Sequence, residues 1–249
     1  MRVIVKNEGI VLRKTDFRTT SIILTLYTKD FGKIKGVVKG VRGSRPVSFG
    51  LPEIFTLNEI VFYQSKRDIC YISHCDLIDY FKTIRNNFDS SIYASYAVDI
   101  FDAVTGMNQP NIGLFNLLCS YLQALNTDLN QRLATTVFEI KLLTLAGIGP
   151  RLDSCASCGG SVNENEHVFS IINGGLVCEK CSGRDSSRIK LSKKNVHFLR
   201  NTAESNWEDS LKVQNASDIG LEKMLKNFVN YHLQPGIKSA EFLNLVEKI

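Results

Sequence analysis

Two closely spaced cysteine pairs are the feature of this sequence that most constrains its fold. Cys155 and Cys158 form one Cys-x-x-Cys pair, Cys178 and Cys181 form the other, and 19 residues separate the pairs. Each such turn places two thiolates on one side of a tight knuckle, and two knuckles complete the tetrahedral shell of a zinc ion. Four thiolates leave no coordination position open for water or substrate. The spacing therefore predicts one structural Zn²⁺ per chain.

Other interpretations of these cysteines are open at this point. His167 could replace one cysteine as a ligand, or one or both pairs could be metal-free thiols. A redox Cys-x-x-Cys more often stands alone near a βαβ unit, and a zinc deaminase needs a His-x-Glu motif that none of the four histidines provides. The remaining cysteines lie in apolar segments, where free cysteine behaves as a small buried hydrophobe, and are assigned no function.

The first 78 residues have the pattern of strands and turns. Alternating and β-branched segments separated by turn residues, such as the polar stretch 15–20, predict five short strands. The predicted strands are 3–12, 21–28, 33–39, 53–64 and 69–74. Five short strands at this spacing favour a small closed barrel, because closure removes exposed sheet edges. We expect an OB-like barrel over 1–78, although an SH3-like barrel fits the strand count equally well.

From residue 79 onward the apolar residues recur at spacings of three or four, which is typical of helices. The predicted helices are 79–104 (or two helices with a break near Asn86 and Asn87), 114–125, 129–146, 192–204, 219–233 and 237–249. The cysteine segment, about 151–190, interrupts them and contains a possible strand at 167–172. The expected fold is therefore α+β and multidomain, with the barrel at 1–78 and a helical bundle at 79–249 that carries a zinc-binding insertion.

Positive charge is concentrated at the N-terminus. Residues 1–50 contain 11 basic and three acidic residues, a net +8, whereas the whole chain carries only +5. A basic region in a small barrel, with Phe17, Tyr27 and Phe31 interleaved, is typical of binding to a nucleic-acid strand. Such aromatics are more often core residues, so we expect Tyr27 and Phe31 inside. The candidate DNA contacts are Arg13, Lys14, Lys35, Lys39, Arg42 and Arg45. A protein–protein adaptor whose basic barrel binds an acidic peptide is the competing hypothesis.

Catalytic and membrane functions are poorly supported by the sequence. It contains no phosphate-binding P-loop, no Gly-x-Ser-x-Gly elbow and no His-Glu-x-x-His motif. We therefore expect a protein that is not an enzyme; an open coordination position at the metal would revive a zinc hydrolase. No apolar run approaches the roughly 18 residues that span a bilayer, and the N-terminus lacks the apolar core of a signal peptide. The expected location is the cytoplasm, with association with the nucleoid when the protein is bound to DNA.

Three blocks of the sequence, in order, resemble the RecO family of bacterial recombination mediators. The first comprises 9–16, 21–28, 32–34 and 38–42. The second begins with Phe138-Glu139 and Lys141-Leu142-Leu143, continues through Gly147, Pro150 and Leu152, and ends at Cys155, Cys158 and Gly159. The third comprises 231–233, Lys238-Ser239 and Phe242-Leu243. Their order and spacing carry the resemblance, which extends over the whole chain.

The resemblance implies an N-terminal OB-fold and a helical C-terminal domain with the zinc site. It also implies binding of single- and double-stranded DNA and annealing of complementary strands. The expected partners are RecR and single-stranded-DNA-binding protein, and indirectly RecA, which such a protein helps to load onto covered strands.

Overall fold

The computed structural model shows two compact units, Met1–Thr127 and Asp128–Ile249. The structure describes residues 3–41, 50, 52–64, 69–127, 129–162, 167–183, 186–213, 218–233, 239–240 and 243. Each unit is described below by itself.

A closed five-stranded barrel forms the core of the first unit. Its strands are β1 (Ile4–Phe17), β2 (Ser21–Thr28), β3 (Gly32–Val38), β4 (Leu57–Tyr63) and β5 (Ile69–Asp79). Around the barrel the order is β1-β2-β3-β5-β4, and every neighbouring pair is antiparallel except β3 with β5. This closed barrel followed by helices confirms the predicted α+β fold with an OB-like barrel.

The alternation of buried and exposed side chains along β3 shows how the sequence forms the barrel. Ile34 and Val38 are buried inside it, whereas Lys35 between them is exposed. Gly36 is also an inward position, and a Cβ there would lie 2.4 Å from the Ile72 side chain on β5. Because the apolar residues recur with the period of two that a strand requires, one face of each strand fills the core.

Three helices complete the first unit: α1 (Lys82–Asn86), α2 (Phe88–Val104) and α3 (Ile112–Leu125). The predicted break near Asn86 and Asn87 is confirmed, since the Asn87 side chain accepts a hydrogen bond from Ser90 N and starts α2. Tyr27 on β2 is fully buried with its ring edge-on to Phe101 of α2, 4.8 Å between centroids. The expected domain boundary at 78 and 79 stays a prediction: β5 ends at Asp79, and α1 to α3 share a compact unit with the barrel.

The second unit combines helices with a small sheet. Its elements are α4 (Gln131–Leu145), β6 (His167–Ser170), β7 (Gly175–Val177), α5 (Glu179–Ser182), β8 (Arg188–Leu191), α6 (Lys193–Glu204), α7 (Trp207–Leu211) and α8 (Ile219–His232). Helix α4 is central and contacts α6, α7 and α8. The three short strands form an antiparallel sheet in the order β7-β6-β8.

Two strands run further than the sequence pattern indicates. Strand β1 continues to Phe17 through the polar stretch expected to turn, and β5 continues from His74 to Asp79. Most of the helix expected at 237–249 lies outside the described residues. Among the helices that the structure describes, none is both long and apolar enough to span a membrane.

Candidate functional site

The four paired cysteines converge in the second unit. The sulphur atoms of Cys155, Cys158, Cys178 and Cys181 all lie within 4.8 Å of one another, and Cys158 Sγ is 3.8 Å from Cys178 Sγ. A tetrahedron of sulphurs with metal–sulphur bonds near 2.3 Å has edges of about 3.8 Å. These four residues could therefore hold one metal ion. Within the described residues, this cluster includes no histidine.

Backbone hydrogen bonds shape both knuckles and join them. In the first knuckle, Gly159 N donates to Cys155 O at 2.8 Å, with Gly159 at a positive φ of 75° that favours glycine. In the second knuckle, Cys181 N donates to Cys178 O at 3.0 Å in the turn that opens α5. Ala156 N donates to Leu176 O at 2.7 Å, so β7 holds the two knuckles side by side. The local sequence thus preforms the arrangement of the sulphurs.

The ionisation of the four thiols is coupled, and this coupling favours a bound cation. Burial raises the pKa of the Cys155 thiol, but hydrogen bonds from the backbone N–H groups of Cys178, Cys158 and Ser157 outweigh it and lower the pKa to about 6. For Cys181, a hydrogen bond with Ser157 lowers the pKa, but the neighbouring cysteine sulphurs raise it to about 12. One thiolate therefore opposes ionisation of the next, and a metal cation removes this opposition.

The six predicted DNA contacts fall into three groups. Arg13 and Lys14 are ion-paired: Arg13 Nε lies 2.7 Å from Asp102 Oδ2 of α2, and Lys14 Nζ lies 2.6 Å from Glu53 Oε1. Lys35 and Lys39 are exposed and, among the described residues, form no ion pair. Arg42 and Arg45 lie outside the described residues. The structure thus distinguishes the ion-paired Arg13 and Lys14 from the exposed Lys35 and Lys39, a difference that the sequence alone does not show.

Lys35 and Lys39 belong to an exposed surface that we call the barrel face, formed by Lys35, Lys39, Tyr63, Ile69 and Tyr71. The strand register makes it continuous, since Lys35 is opposite Ile69 and Tyr71 is opposite Tyr63. The two tyrosine rings stack at 5.7 Å, and Lys39 Nζ lies 5.5 Å from the Tyr71 ring centroid. Tyr71 and Ile69 are each 40% exposed. The face therefore places cations beside accessible aromatic surface.

Sequence reasoning missed the two tyrosines of this face. The aromatics considered instead lie elsewhere: Tyr27 is buried against α2, and Phe31 packs against the barrel core with its ring edge-on to Phe62. Their expected inward placement is borne out by these contacts. The sequence signal for Tyr63 and Tyr71 is their alternation with the buried Phe62, Cys70 and Ile72. This alternation places both tyrosines on the outer face of the barrel, but only the strand pairing shows that they are neighbours.

The fold and the cysteine cluster define a class of protein with an N-terminal OB-like barrel and a mostly helical C-terminal unit that carries four clustered cysteines able to hold a metal ion. Comparison with protein families matches residues 1–81 to the N-terminal and residues 85–241 to the C-terminal model of recombination protein O. The chain belongs to the RecO family.

Relatives named DNA repair protein RecO match between 71% and 98% of the chain. The protein from Desulforamulus reducens is 29% identical over 249 residues, covering 98% of this chain and 96% of that protein. The protein from Alkaliphilus metalliredigens is 30% identical over 233 residues, covering 92% and 94%. The protein from Syntrophus aciditrophicus is 35% identical over 179 residues, covering 71% and 69%. These similarities support a role in DNA repair.

Proposed function

We propose that this chain is a DNA repair and recombination mediator that binds single- and double-stranded DNA, promotes strand annealing and, with RecR, helps load RecA. The observation that carries the proposal is the barrel face, where two cations flank stacked tyrosines in a protein of the RecO family. Single-stranded-DNA-binding protein is a further proposed partner. The work is non-enzymatic and takes place in the cytoplasm, at the nucleoid when DNA is bound.

The barrel face suits a single strand because it combines the two interactions that such a strand needs. Lysine ammonium groups bind phosphates without regard to sequence, and aromatic faces stack on bases. Tyr71, which is 40% exposed, is the proposed stacking position, and the stacked ring of Tyr63 supports it. Cationic surface also screens the repulsion between two strands, so annealing proceeds with no covalent bond made or broken.

The ion pairs indicate which of the proposed contacts contribute most to DNA binding. Lys35 and Lys39, which are free of ion pairs within the described residues, are proposed as the primary cations together with Arg42 and Arg45. Arg13 and Lys14 contribute less, because Asp102 and Glu53 already neutralise them. Phosphate binding by either residue would require an existing ion pair to be broken or shared.

Salt-dependent DNA binding tests the cations of this proposal. The double variant Lys35→Gln/Lys39→Gln should weaken binding of a single-stranded oligonucleotide. It should also reduce the slope of log affinity against log salt by about 1.4, about 0.7 for each lost phosphate contact. Lys6→Gln is the matched control, since Lys6 is an exposed lysine of the same barrel that pairs with Glu59. An unchanged slope in the double variant would refute the assignment.

Substitution of Tyr71 tests the stacking contribution separately. Tyr71→Leu should lose about 1–3 kcal/mol of single-strand binding while leaving the salt slope unchanged, because stacking releases no counterion. Tyr80→Leu is the control, since Tyr80 is an equally exposed tyrosine of the same unit outside the barrel face. Equal losses in the two variants would mean that Tyr71 has no special role.

We further propose that the four-cysteine cluster holds one structural Zn²⁺. Cysteine thiolates favour zinc, and four of them complete its tetrahedral shell. The ion would hold the two knuckles together and supply no open position for catalysis. Elemental analysis of the purified protein should find one zinc per chain, and Cys178→Ser should reduce it; a full zinc content in that variant would exclude Cys178 as a ligand.

The adaptor hypothesis predicts a different binding profile. A barrel that recognises acidic peptides should bind a polyglutamate-rich peptide at least as tightly as an oligonucleotide of equal charge. The stacked tyrosines of the barrel face favour DNA, because a base offers a flat ring for stacking and a glutamate side chain does not. Titrations with both ligands under the same salt condition decide between the two functions.

A further inference from the structure

The hairpin that joins β1 to β2 ends in a second pair of an aromatic ring and a cation. We call residues 17–21 the hairpin tip. Phe17 pairs with Ser21 and is half-buried. Arg18 is exposed, and its guanidinium carbon lies 5.2 Å from the centroid of the Phe17 ring. The barrel face contains the same combination, since Lys39 Nζ lies 5.5 Å from the Tyr71 ring centroid.

Strand register places both pairs on the outer surface of the barrel. Cross-strand partners share a face of the sheet, and neighbours along a strand lie on opposite faces. Ile22 and Val38 are paired with each other and belong to the barrel core. Ser21 and Lys39, which adjoin them in sequence, therefore face outward. Phe17 shares the outward face of its partner Ser21.

Two apolar side chains on the same outer surface join the hairpin tip to the barrel face. Ile23, two residues beyond Ser21, is the diagonal neighbour of Phe17 across the β1–β2 pair. Ile23 is paired with Val37, and Val37 is paired with Tyr71. Both Ile23 and Val37 are half-buried. The path from β1 to β5 crosses three strand spacings of about 4.8 Å, so its two ends are about 14 Å apart.

The backbone at Arg18 is strained, which is a separate sign of function at the hairpin tip. Its φ is 54°, in the left-handed region that residues other than glycine rarely adopt. Glycine and asparagine take this conformation at lower cost. Strained residues of other types cluster at functional sites. An arginine at a position that suits glycine or asparagine better therefore indicates a role for its side chain.

The contacts of Arg18 leave its charge accessible to a ligand. Within the part of the chain that the structure describes, Arg18 forms no ion pair. Asp16 is the acid of this hairpin and pairs with the core residue Ile22, so it lies on the opposite face of β1 from Phe17. The hairpin tip therefore presents a guanidinium group beside a partly accessible ring, as a nucleotide requires for its phosphate and its base.

We propose that the hairpin tip is a second position for stacking and phosphate binding, so that one single strand runs across the barrel from Phe17 to Tyr71. This inference rests on the proposed DNA binding by the barrel face. Each end holds a base on its ring and a phosphate on its cation, and the apolar path contacts the bases between them. A length of about 14 Å equals about four steps at the 3.4 Å spacing of stacked bases. The ligand is a single strand because a duplex keeps its base faces covered.

Substitution of Phe17 tests the second stacking position in the full-length protein. With an oligothymidylate of about ten nucleotides, Phe17→Leu should weaken single-strand binding about 5- to 150-fold, the effect of one stacked base. Binding of a duplex of equal charge should not change. Because Phe17 and Tyr71 lie far apart, the losses of Phe17→Leu and Tyr71→Leu should multiply in the double variant. Tyr80→Leu is again the control.

Substitution of Arg18 separates binding from folding. Arg18→Asn removes the charge and relieves the backbone strain, so the melting temperature of the protein should not fall. The slope of log affinity against log salt should decrease by about 0.7, the value for one phosphate contact with a single strand. Arg18→Lys keeps the charge and should keep the slope. A lower melting temperature of Arg18→Asn with an unchanged slope would show a structural role and overturn the proposal.

The same titrations distinguish failure of this inference from failure of the proposed function. Weaker binding by Tyr71→Leu together with normal binding by Phe17→Leu overturns the inference and leaves DNA binding by the barrel face in place. Equal losses of single-strand and duplex binding in Phe17→Leu also overturn it, because a duplex offers no free base face to the ring. An unsubstituted protein that binds no oligonucleotide overturns both.

Discussion

Replacing Asp102 with asparagine tests whether its ion pairs with Arg13 and Lys33 stabilise the first unit. Asp102 on α2 accepts from Arg13 Nε at 2.7 Å through one carboxylate oxygen and from Lys33 Nζ at 2.8 Å through the other. The side chains of Lys33 and Asp102 are only 10% and 16% exposed. The carboxylate therefore joins β1, β3 and α2, with Lys33 and Asp102 nearly buried and the Arg13 side chain 56% exposed.

The cost of the substitution follows from the buried lysine. Removing one partner of a buried ion pair costs about 3–5 kcal/mol, because the remaining charge is left uncompensated. Lys33 Nζ also donates to the backbone oxygen of Asp102 at 2.7 Å, and the variant keeps that bond. We therefore expect Asp102→Asn to destabilise the first unit by about 2–3 kcal/mol.

Amide hydrogen exchange, measured by mass spectrometry on the full chain, reports this loss locally. Since each 1.4 kcal/mol is a factor of ten, peptides from β1, β3 and α2 should exchange about 30- to 140-fold faster in Asp102→Asn. Glu53→Gln is the control. It removes a similar lysine pair, to Lys14, whose side chains are 23% and 45% exposed, and should cost less than about 1 kcal/mol.

Two results would refute this reasoning. Similar acceleration in Asp102→Asn and Glu53→Gln would mean that burial does not determine the value of these pairs. Less than fivefold acceleration in Asp102→Asn would mean that Lys33 finds another partner or takes up water.

Three further predictions concern the second unit and the thiols. Gly175→Ala should lower the metal content of the protein, since the added Cβ would lie 2.2 Å from Arg151 O. Gly183→Ala is the control and should leave the metal content unchanged, because no atom lies within 4 Å of its added Cβ. Elemental analysis checks both variants. Removing the metal with a chelator should speed hydrogen exchange in β6 to β8 and leave exchange in the barrel strands unchanged. Equal acceleration in the small sheet and in the barrel would contradict a stabilising role of the metal that is confined to the second unit. After chelation at pH 8, a disulfide reagent such as Ellman's should react slowly with Cys70, Cys75 and Cys119, because burial raises the pKa of Cys70 to about 11 and those of Cys75 and Cys119 to about 12. Fast reaction of all seven thiols would contradict these pKa values.

The features predicted from the sequence are those that nearby residues determine. A Cys-x-x-Cys turn brings two sulphurs together whatever surrounds it, so the four-cysteine cluster could be found from spacing alone. The break at Asn87 follows from its side-chain cap, and the end of α4 follows from Gly147, which adopts a positive φ of 74°. In each case the cause lies within a few residues of its effect.

The features that were missed depend on residues far apart in the chain. Strand β1 continues through a polar stretch that resembles a turn, because Phe17 pairs with Ser21 of β2. The ion pair of Arg13 with Asp102, 89 positions away, depends on the docking of α2 against β1. The stacking of Tyr63 on Tyr71 likewise requires the register of β4 with β5. Strand pairing and helix docking, which a single sequence does not encode locally, decide all three.

The small sheet of the second unit is the part of the fold that a metal at the cysteine cluster would stabilise most. Its strands β6, β7 and β8 have only four, three and four residues, shorter than the five or six typical of strands. Strand pairing over so few residues contributes little stability by itself. The cluster is joined to this sheet, because Cys178 directly follows β7, and Ala156 N beside Cys155 donates to Leu176 O within β7. A metal bound by both knuckles would therefore fix β7, and through its pairing with β6 the whole sheet. The barrel has longer strands and a continuous apolar core, and its cysteines lie apart from any such cluster within the described residues.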